Sequence, residues 1–414
     1  MKIAKRISRL GTETAFDVLA QVNELRAKGR DIVALSIGEP ACATADYIKE
    51  AAKKALDKNY THYCPSAGIP EFRKVIADYV ASTRGIPVEP DEVVVVPGGK
   101  PTIFFSILAC IEEGDEVIYP LPGYPIYESM VNFVGGTPVP LRLREDKRFS
   151  FDVQELRSKI TKRTRMIIIN SPHNPTGGII PKQDLHEVAE LALKHDLWVL
   201  SDEIYSRIVY EGKAESVSQF PGMKERTIIL DGHSKTYAMT GWRVGYGVMP
   251  KQLATHVSRL MTNSNSCTAT FTQHAAMEAM VGPQDYAEAM VKEFKGNREL
   301  IVNGLNRIDG FFCHMPAGAF YAYPNVTRAC RRIGFKNSKE LQQFLLYKGG
   351  VAVLGQQCFG TRTPEDDQEY IRLSYVSSEK DIKEALRRIE TSITDNKLVE
   401  EFLDEQRVKE VVVS

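Results

Sequence analysis

Residues 166–202 read MIIINSPHNPTGGIIPKQDLHEVAELALKHDLWVLSD, and this stretch decides the architecture. Four apolar residues, 166–169, make a buried strand that stops at Asn170. The run SPHNPTGG then places two X-Pro steps and a glycine pair together, which bars a helix and makes a stiff loop. Residues 183–195 follow as an amphipathic helix, and residues 198–201 as a second apolar strand. Strand, helix and strand in that order build a parallel sheet whose faces are covered by helices.

The same texture extends to both sides. Residues 93–96, 117–119, 227–230 and 244–248 read as further buried strands, each bounded by Gly, Pro or Asp. Helical stretches at 71–82 and 102–111 lie between them. Past residue 285 the pattern changes: a long charged helix over 286–307 leads to strands at 319–323, 351–354 and 371–375, with helices between. The expected fold is α/β, with a large domain built on a mostly parallel sheet and a smaller α+β domain. The chain up to Pro40 should join the smaller domain, because it enters the large sheet only afterwards. Residues 1–45 are then an N-terminal arm with part of the small domain, 46–284 the large domain and 285–414 the small one.

Composition narrows the function. The chain has 414 residues, with 53 Lys plus Arg against 53 Asp plus Glu, so no net charge draws it to nucleic acid or an anionic membrane. Its longest apolar stretch near a helix, 103–111, is about half a membrane span. The basic N-terminus lacks the apolar core of a secretory signal, and the seven cysteines stand singly without a CxxC pair. Free thiols in a reducing compartment, and hence a cytoplasmic protein, are expected. The eight histidines lack metal-ligand spacing, so no metal site is expected.

In open α/β sheets ligands gather beyond the carboxyl ends of the strands. After residues 93–96 come Pro97, Gly98, Gly99, Lys100 and Pro101, a turn that frees backbone N–H groups at a helix start. It is either a phosphate cradle or an ordinary tight turn. After 166–169 comes Asn174, which offers a neutral amide or simply makes an Asn-Pro turn. After 198–201 comes Asp202, either a helix N-cap or a partly buried carboxylate that needs a cation, with Tyr205 three residues on. After 227–230 comes Lys235, either solvated or a desolvated amine beside other cations, where a lowered pKa makes it a carbonyl nucleophile.

Taken together and in this order, the set resembles the class I aminotransferases of the fold-type I pyridoxal-phosphate family, from about Arg9 to Ile389. The stretches that carry the resemblance are LSIGEP (35–40), THYCPSAG (61–68), PGGK (97–100), SPHNPTGG (171–178), SDEIY (201–205), SKTYAMTGWRVGY (234–246) and YIRLSY (370–375). SDEIY followed by SK, with Arg243 eight residues past the lysine, is the most specific of them. The run RISRLGTETAF (6–16) matches too, so the basic arm belongs to the fold. The resemblance implies a seven-stranded type of large sheet.

It also implies a chemistry. Pyridoxal 5'-phosphate would be held by Lys235 as an internal aldimine, and the freed amine would shuttle the substrate α-proton in a ping-pong transamination between an L-amino acid and a 2-oxo acid. Asp202 would pair with the ring nitrogen, preserving the ring as an electron sink. Asn174 and Tyr205 would hold the ring's 3-hydroxyl oxygen, and Tyr124 would stack on its face. Arg243 would grip the phosphate with the Gly98–Gly99–Lys100 turn. Arg372 would clamp the substrate α-carboxylate through its planar fork, with the Gly38 backbone closing over it. Tyr63 would reach the phosphate of the neighbouring subunit, making a homodimer part of the site.

Two positions depart from the pattern. Gly232 stands where many relatives place a serine, and Tyr124 where aspartate-specific relatives usually carry Trp. Lys100 would meet either the phosphate or the distal carboxylate of a substrate. A lyase or synthase on the same fold, of the cysteine-conjugate β-lyase or aminocyclopropane-carboxylate synthase type, shares every cofactor contact and is the alternative activity. A transcription regulator on this fold would need a DNA-binding domain in front, and only about thirty residues precede LSIGEP.

Overall fold

The computed structural model describes residues 1–413. In chain order its strands are β1 (Val33–Ala34), β2 (Val93–Val96), β3 (Glu116–Leu121), β4 (Thr137–Arg144), β5 (Ser150–Phe151), β6 (Thr164–Asn170) and β7 (Trp198–Asp202). They continue with β8 (Thr227–Gly232), β9 (Gly245–Val248), β10 (Tyr321–Ala322), β11 (Val351–Ala352), β12 (Leu354–Gly355) and β13 (Ile371–Ser374). The large sheet runs β2-β9-β8-β7-β6-β3-β4-β5. Its central strands β8, β7, β6, β3 and β4 are mutually parallel, and β9 is antiparallel to both its neighbours. The seven strands from β2 to β4 match the expected type, and β5 adds a two-residue antiparallel edge.

The six sheet strands expected from apolar runs are all present. β4 is the addition, and its sequence TPVPLRLR hides it: prolines at 138 and 140 break the apolar pattern. Proline is tolerated there because β4 pairs with β5 only at Leu143 and Arg144, so its outer edge needs few N–H donors. Both faces of the sheet are packed, as a parallel sheet requires: β2 and β3 are buried at every residue.

The smaller sheets differ more from expectation. The strand expected at 319–323 is reduced to β10, and the one expected at 351–354 is two strands with separate partners. β11 pairs in parallel with β1, and β12 pairs with β13, which also pairs with β10. Val33–Ala34 is thus tied to residues over 300 positions later. The helix Asp285–Leu305 packs against the helix Glu379–Thr394 beside these sheets. The N-terminal arm crosses the large part, where the Gly11 N–H donates to Ser129 Oγ at 2.9 Å just before the helix Ala15–Ala27.

Candidate active site

Three parallel strands end side by side, and the register places Asn170 of β6 opposite Asp202 of β7, and Asp202 opposite Leu230 of β8. β8 ends at Gly232, and the short helix His233–Thr236 lifts Lys235 over these ends. Beyond them lies a cleft of about 460 Å³, lined by Gly38, Gly99, Lys100, Tyr124, Asn174, Asp202, Tyr205, Lys235, Arg243 and Arg372 among others. Ten of the twelve residues singled out in the sequence therefore face one space. Gly98 lies one step behind it and Tyr63 stands apart, 87 % exposed on the surface.

Asp202 is not a helix cap, since β7 is followed by turns and not a helix. Its carboxylate, 5 % exposed, accepts from Tyr127 Oη at 2.6 Å and from the Ile204 N–H at 3.2 Å. Both donors are neutral. The neighbouring carboxylates Glu203 and Asp231 are both bonded to the buried Arg84 guanidinium, at 2.8 and 2.7 Å. Burial pushes the Asp202 carboxyl up to about 6, and the charges of Asp231 and Glu203 add to the rise against the two hydrogen bonds. A buried carboxylate with no cation of its own is costly, and this one faces an open cleft.

Lys235 Nζ donates to the Gly38 carbonyl at 2.6 Å. Burial lowers its pKa to about 8, helped by the positive charges of Arg372 and Arg243 and opposed by Glu39 and Glu13. In the cofactor-free protein the amine is therefore protonated below about pH 8 and nucleophilic above it. Its rate of modification by an amine-specific reagent should rise with pH with a midpoint near 8. A midpoint near 10.5 would show that the amine is solvated.

Arg372, on β13 and 4 % exposed, donates to Asn174 Oδ1 at 2.8 Å and to the Ser36 carbonyl at 2.5 Å. It lies over the rings of Tyr321 (4.4 Å) and Phe359 (5.0 Å), and its Nε has no partner. Every group that Arg372 bonds or lies over is neutral, which leaves its charge for an anion in the cleft. Asn174 is fixed in turn, since its N–H donates to Asn170 Oδ1 at 2.9 Å and Asn170 Nδ2 donates to the Asp202 carbonyl at 2.9 Å. The Tyr205 hydroxyl shares a hydrogen bond with that of Tyr321 at 2.7 Å.

The glycines around Arg243 are set by close approach. Arg243 lies against the turn before the helix Lys100–Cys110, and a Cβ on Gly98 would sit 2.1 Å from its Nη2. Gly98 also has φ +81°, a conformation that disfavours any side chain. A Cβ on Gly232 would meet the Gly245 Cα at 2.9 Å, and one on Gly245 would meet the Gly98 and Gly99 backbone at 2.9 Å. The absence of a serine at 232 thus has a packing reason: three backbone segments converge there without side chains. Ser234 lines the cleft two residues later and supplies a hydroxyl nearby.

Sequence reasoning missed Glu13, Tyr127, Ser234 and Tyr321. Tyr127 and Tyr321 sit in apolar surroundings and read as core aromatics, and only their partners across the fold show otherwise. Among the described residues no set of three or more His, Cys, Asp or Glu is placed to hold a metal ion.

The family model described as aminotransferase class I and II matches residues 30–389. The chain belongs to that family. It is 36% identical over 397 residues to a probable aspartate/prephenate aminotransferase of Aquifex aeolicus, covering 95% of this chain and 99% of the relative. An aspartate aminotransferase of Bacillus subtilis is 35% identical, with coverages of 94% and 98%. The solved aspartate aminotransferase of Rhizobium meliloti superposes with a TM-score of 0.88 at 33% identity, covering 95% of this chain and 99% of that one. The chain is a pyridoxal-phosphate-dependent aminotransferase, and the lyase alternative finds no support among these relatives. Its cleft fits the cofactor: a buried carboxylate without a cation for a ring cation, an arginine against a helix N-terminus for a phosphate, and an amine of lowered pKa in the same cleft.

Proposed function

We propose that this aminotransferase works as a cytoplasmic homodimer and moves an amino group between an L-amino acid and a 2-oxo acid, one half of the couple being glutamate and 2-oxoglutarate. The observation that carries the residue assignment is the buried Asp202 carboxylate, bonded only to neutral donors, in one cleft with Lys235 and Arg372. Bound there, the cofactor supplies an electron sink for the pair released when the substrate loses its α-proton. Lys235 Nζ would take that proton from the α-carbon and hold it for return. Asp202 holds a proton on the ring nitrogen by placing a full negative charge beside it. Arg243 and the N–H groups of Gly99 and Lys100 hold the phosphate, with Gly98 giving Arg243 room. Tyr124 covers the ring, Asn174 and Tyr205 orient its oxygen, and Arg372 with the Gly38 backbone takes the α-carboxylate. The division of labour follows the proposed domains, with 46–284 carrying the cofactor and 1–45 with 285–414 closing over the substrate.

Aspartate, named for the relatives above, enters here as one substrate among a broader set that includes neutral and aromatic amino acids. Incubating the purified holoenzyme with a panel of amino acids and either 2-oxoglutarate or pyruvate, and identifying the products, tests the reading directly. Absence of any new amino acid from the whole panel would refute it.

The dimer rests on Tyr63, which is exposed in one chain and outside that chain's own cleft. All seven cysteines are free, which suits a reducing compartment. Sedimentation should report a dimer. Tyr63→Phe should weaken cofactor retention by about 1.5–3 kcal/mol, roughly 10- to 150-fold in Kd, the worth of one hydrogen bond to a charged group. A fully active monomer would exclude this arrangement.

A further inference from the structure

The arm that precedes the helix Ala15–Ala27 puts one acidic side chain into the cleft. The Glu13 carboxylate is ion-paired with Lys100 Nζ and accepts from Tyr124 Oη at 3.1 Å. Lys100 Nζ also lies 5.5 Å from the ring centres of both Phe16 and Tyr124. A carboxylate, an ammonium and two aromatic faces therefore meet in the space that also holds Lys235 and Arg372.

The charges there can be assigned one by one. The cations lining the cleft are Lys100, Lys235, Arg243 and Arg372. Under the function proposed above, on which this inference rests, Lys235 and Arg243 serve the cofactor and Arg372 serves the α-carboxylate. Among the described residues of one chain, Lys100 is the cation lining the cleft that is left for a second substrate carboxylate, and Glu13 already neutralises it. A dicarboxylate such as aspartate must displace Glu13 from Lys100 and then sit near its negative charge. An uncharged side chain disturbs nothing: an amide finds a donor and an acceptor, and a ring finds the faces of Tyr124 and Phe16.

We infer that Glu13 is a specificity-determining residue, a built-in counter-ion to Lys100 that biases the cleft towards amino acids with uncharged side chains and against aspartate. The pair is partly exposed, with side chains 25% and 40% accessible, so it is weak enough for a dicarboxylate to open at a cost and does not bar one outright. The same weakness lets the cleft admit 2-oxoglutarate in the other half-reaction.

The test is binding, read by calorimetry on the holoenzyme with two unreactive acids, succinate and 3-phenylpropanoate, alongside kcat/KM for aspartate and phenylalanine. Glu13→Gln should tighten succinate at least tenfold and change 3-phenylpropanoate less than twofold. Glu13→Ala should do the same, which separates the loss of charge from any particular new contact. Adding Lys100→Ala to either variant should erase the gain, because the freed cation is what the succinate uses. The kcat/KM ratio of aspartate to phenylalanine should rise in step with succinate affinity.

Succinate affinity unmoved by both Glu13 variants overturns the inference, and so does a gain that survives Lys100→Ala. If succinate responds as stated while no amino acid is transaminated, the assignment of Glu13 stands and the proposed function fails. If transamination proceeds and succinate does not respond, the reverse holds.

Discussion

Lys235→Ala is expected to lose transamination by about 10⁴-fold or more, the upper range for removal of a general base. The loss should fall on kcat and not on substrate affinity, because Arg372 and its partners Asn174 and Ser36 do not depend on the lysine. The protein should still hold the cofactor noncovalently through Arg243, the turn at Gly99 and Lys100, and Asp202. A small external amine supplied to the variant should restore part of the rate, since the missing function is a proton carrier of suitable pKa in an otherwise intact cleft. In the unmodified protein, borohydride should fix the cofactor covalently, and the labelled peptide should contain Lys235. Labelling of Lys100, the other lysine lining the cleft, would move the catalytic amine to the helix N-terminus and undo the proposed roles of both residues.

Much of this geometry was legible from local pattern. A strand that ends in an apolar run announces where its carboxyl end lies, so Asn174, Asp202 and Lys235 could be placed at one sheet mouth before any coordinates. What stayed hidden depends on contacts far apart in sequence. Tyr127 meets Asp202 across 75 positions, Arg372 meets Ser36 across 336, and Glu13 meets Lys100 across 87. None has a periodic or compositional mark. β4 was hidden for a different reason, because edge strands tolerate proline and so lose the apolar signature that reveals central ones. In the sequence Gly232 stands out only as a glycine where many relatives place a serine. In three dimensions it is a contact point, because β8 and β9 pass so closely at Gly232 and Gly245 that a side chain would strike backbone.

Asp202→Ala should be the second severe loss, and its character differs from that of the lysine variant. Removing one partner of a buried charge pair leaves the other uncompensated, at a cost of about 3–5 kcal/mol, or roughly 150- to 4,500-fold in rate. Here the abandoned partner is the protonated ring nitrogen, so the variant should keep KM near normal and lose kcat. Asp202→Glu keeps the charge and should retain far more activity. Tyr127→Phe removes one neutral donor and leaves the carboxylate, so its effect should be much the smallest of the three. The pH dependence follows from the same burial. In the cofactor-free protein the Asp202 carboxyl titrates near 6, so below that pH it is neutral and offers a ring cation nothing. Cofactor capture should therefore weaken as pH falls through 6, and Asp202→Ala should abolish that inflection while leaving the one near 8 that belongs to Lys235. Near-normal turnover in Asp202→Ala, or an unchanged acid limb, would mean that the carboxylate at the mouth of β7 does not face the ring nitrogen.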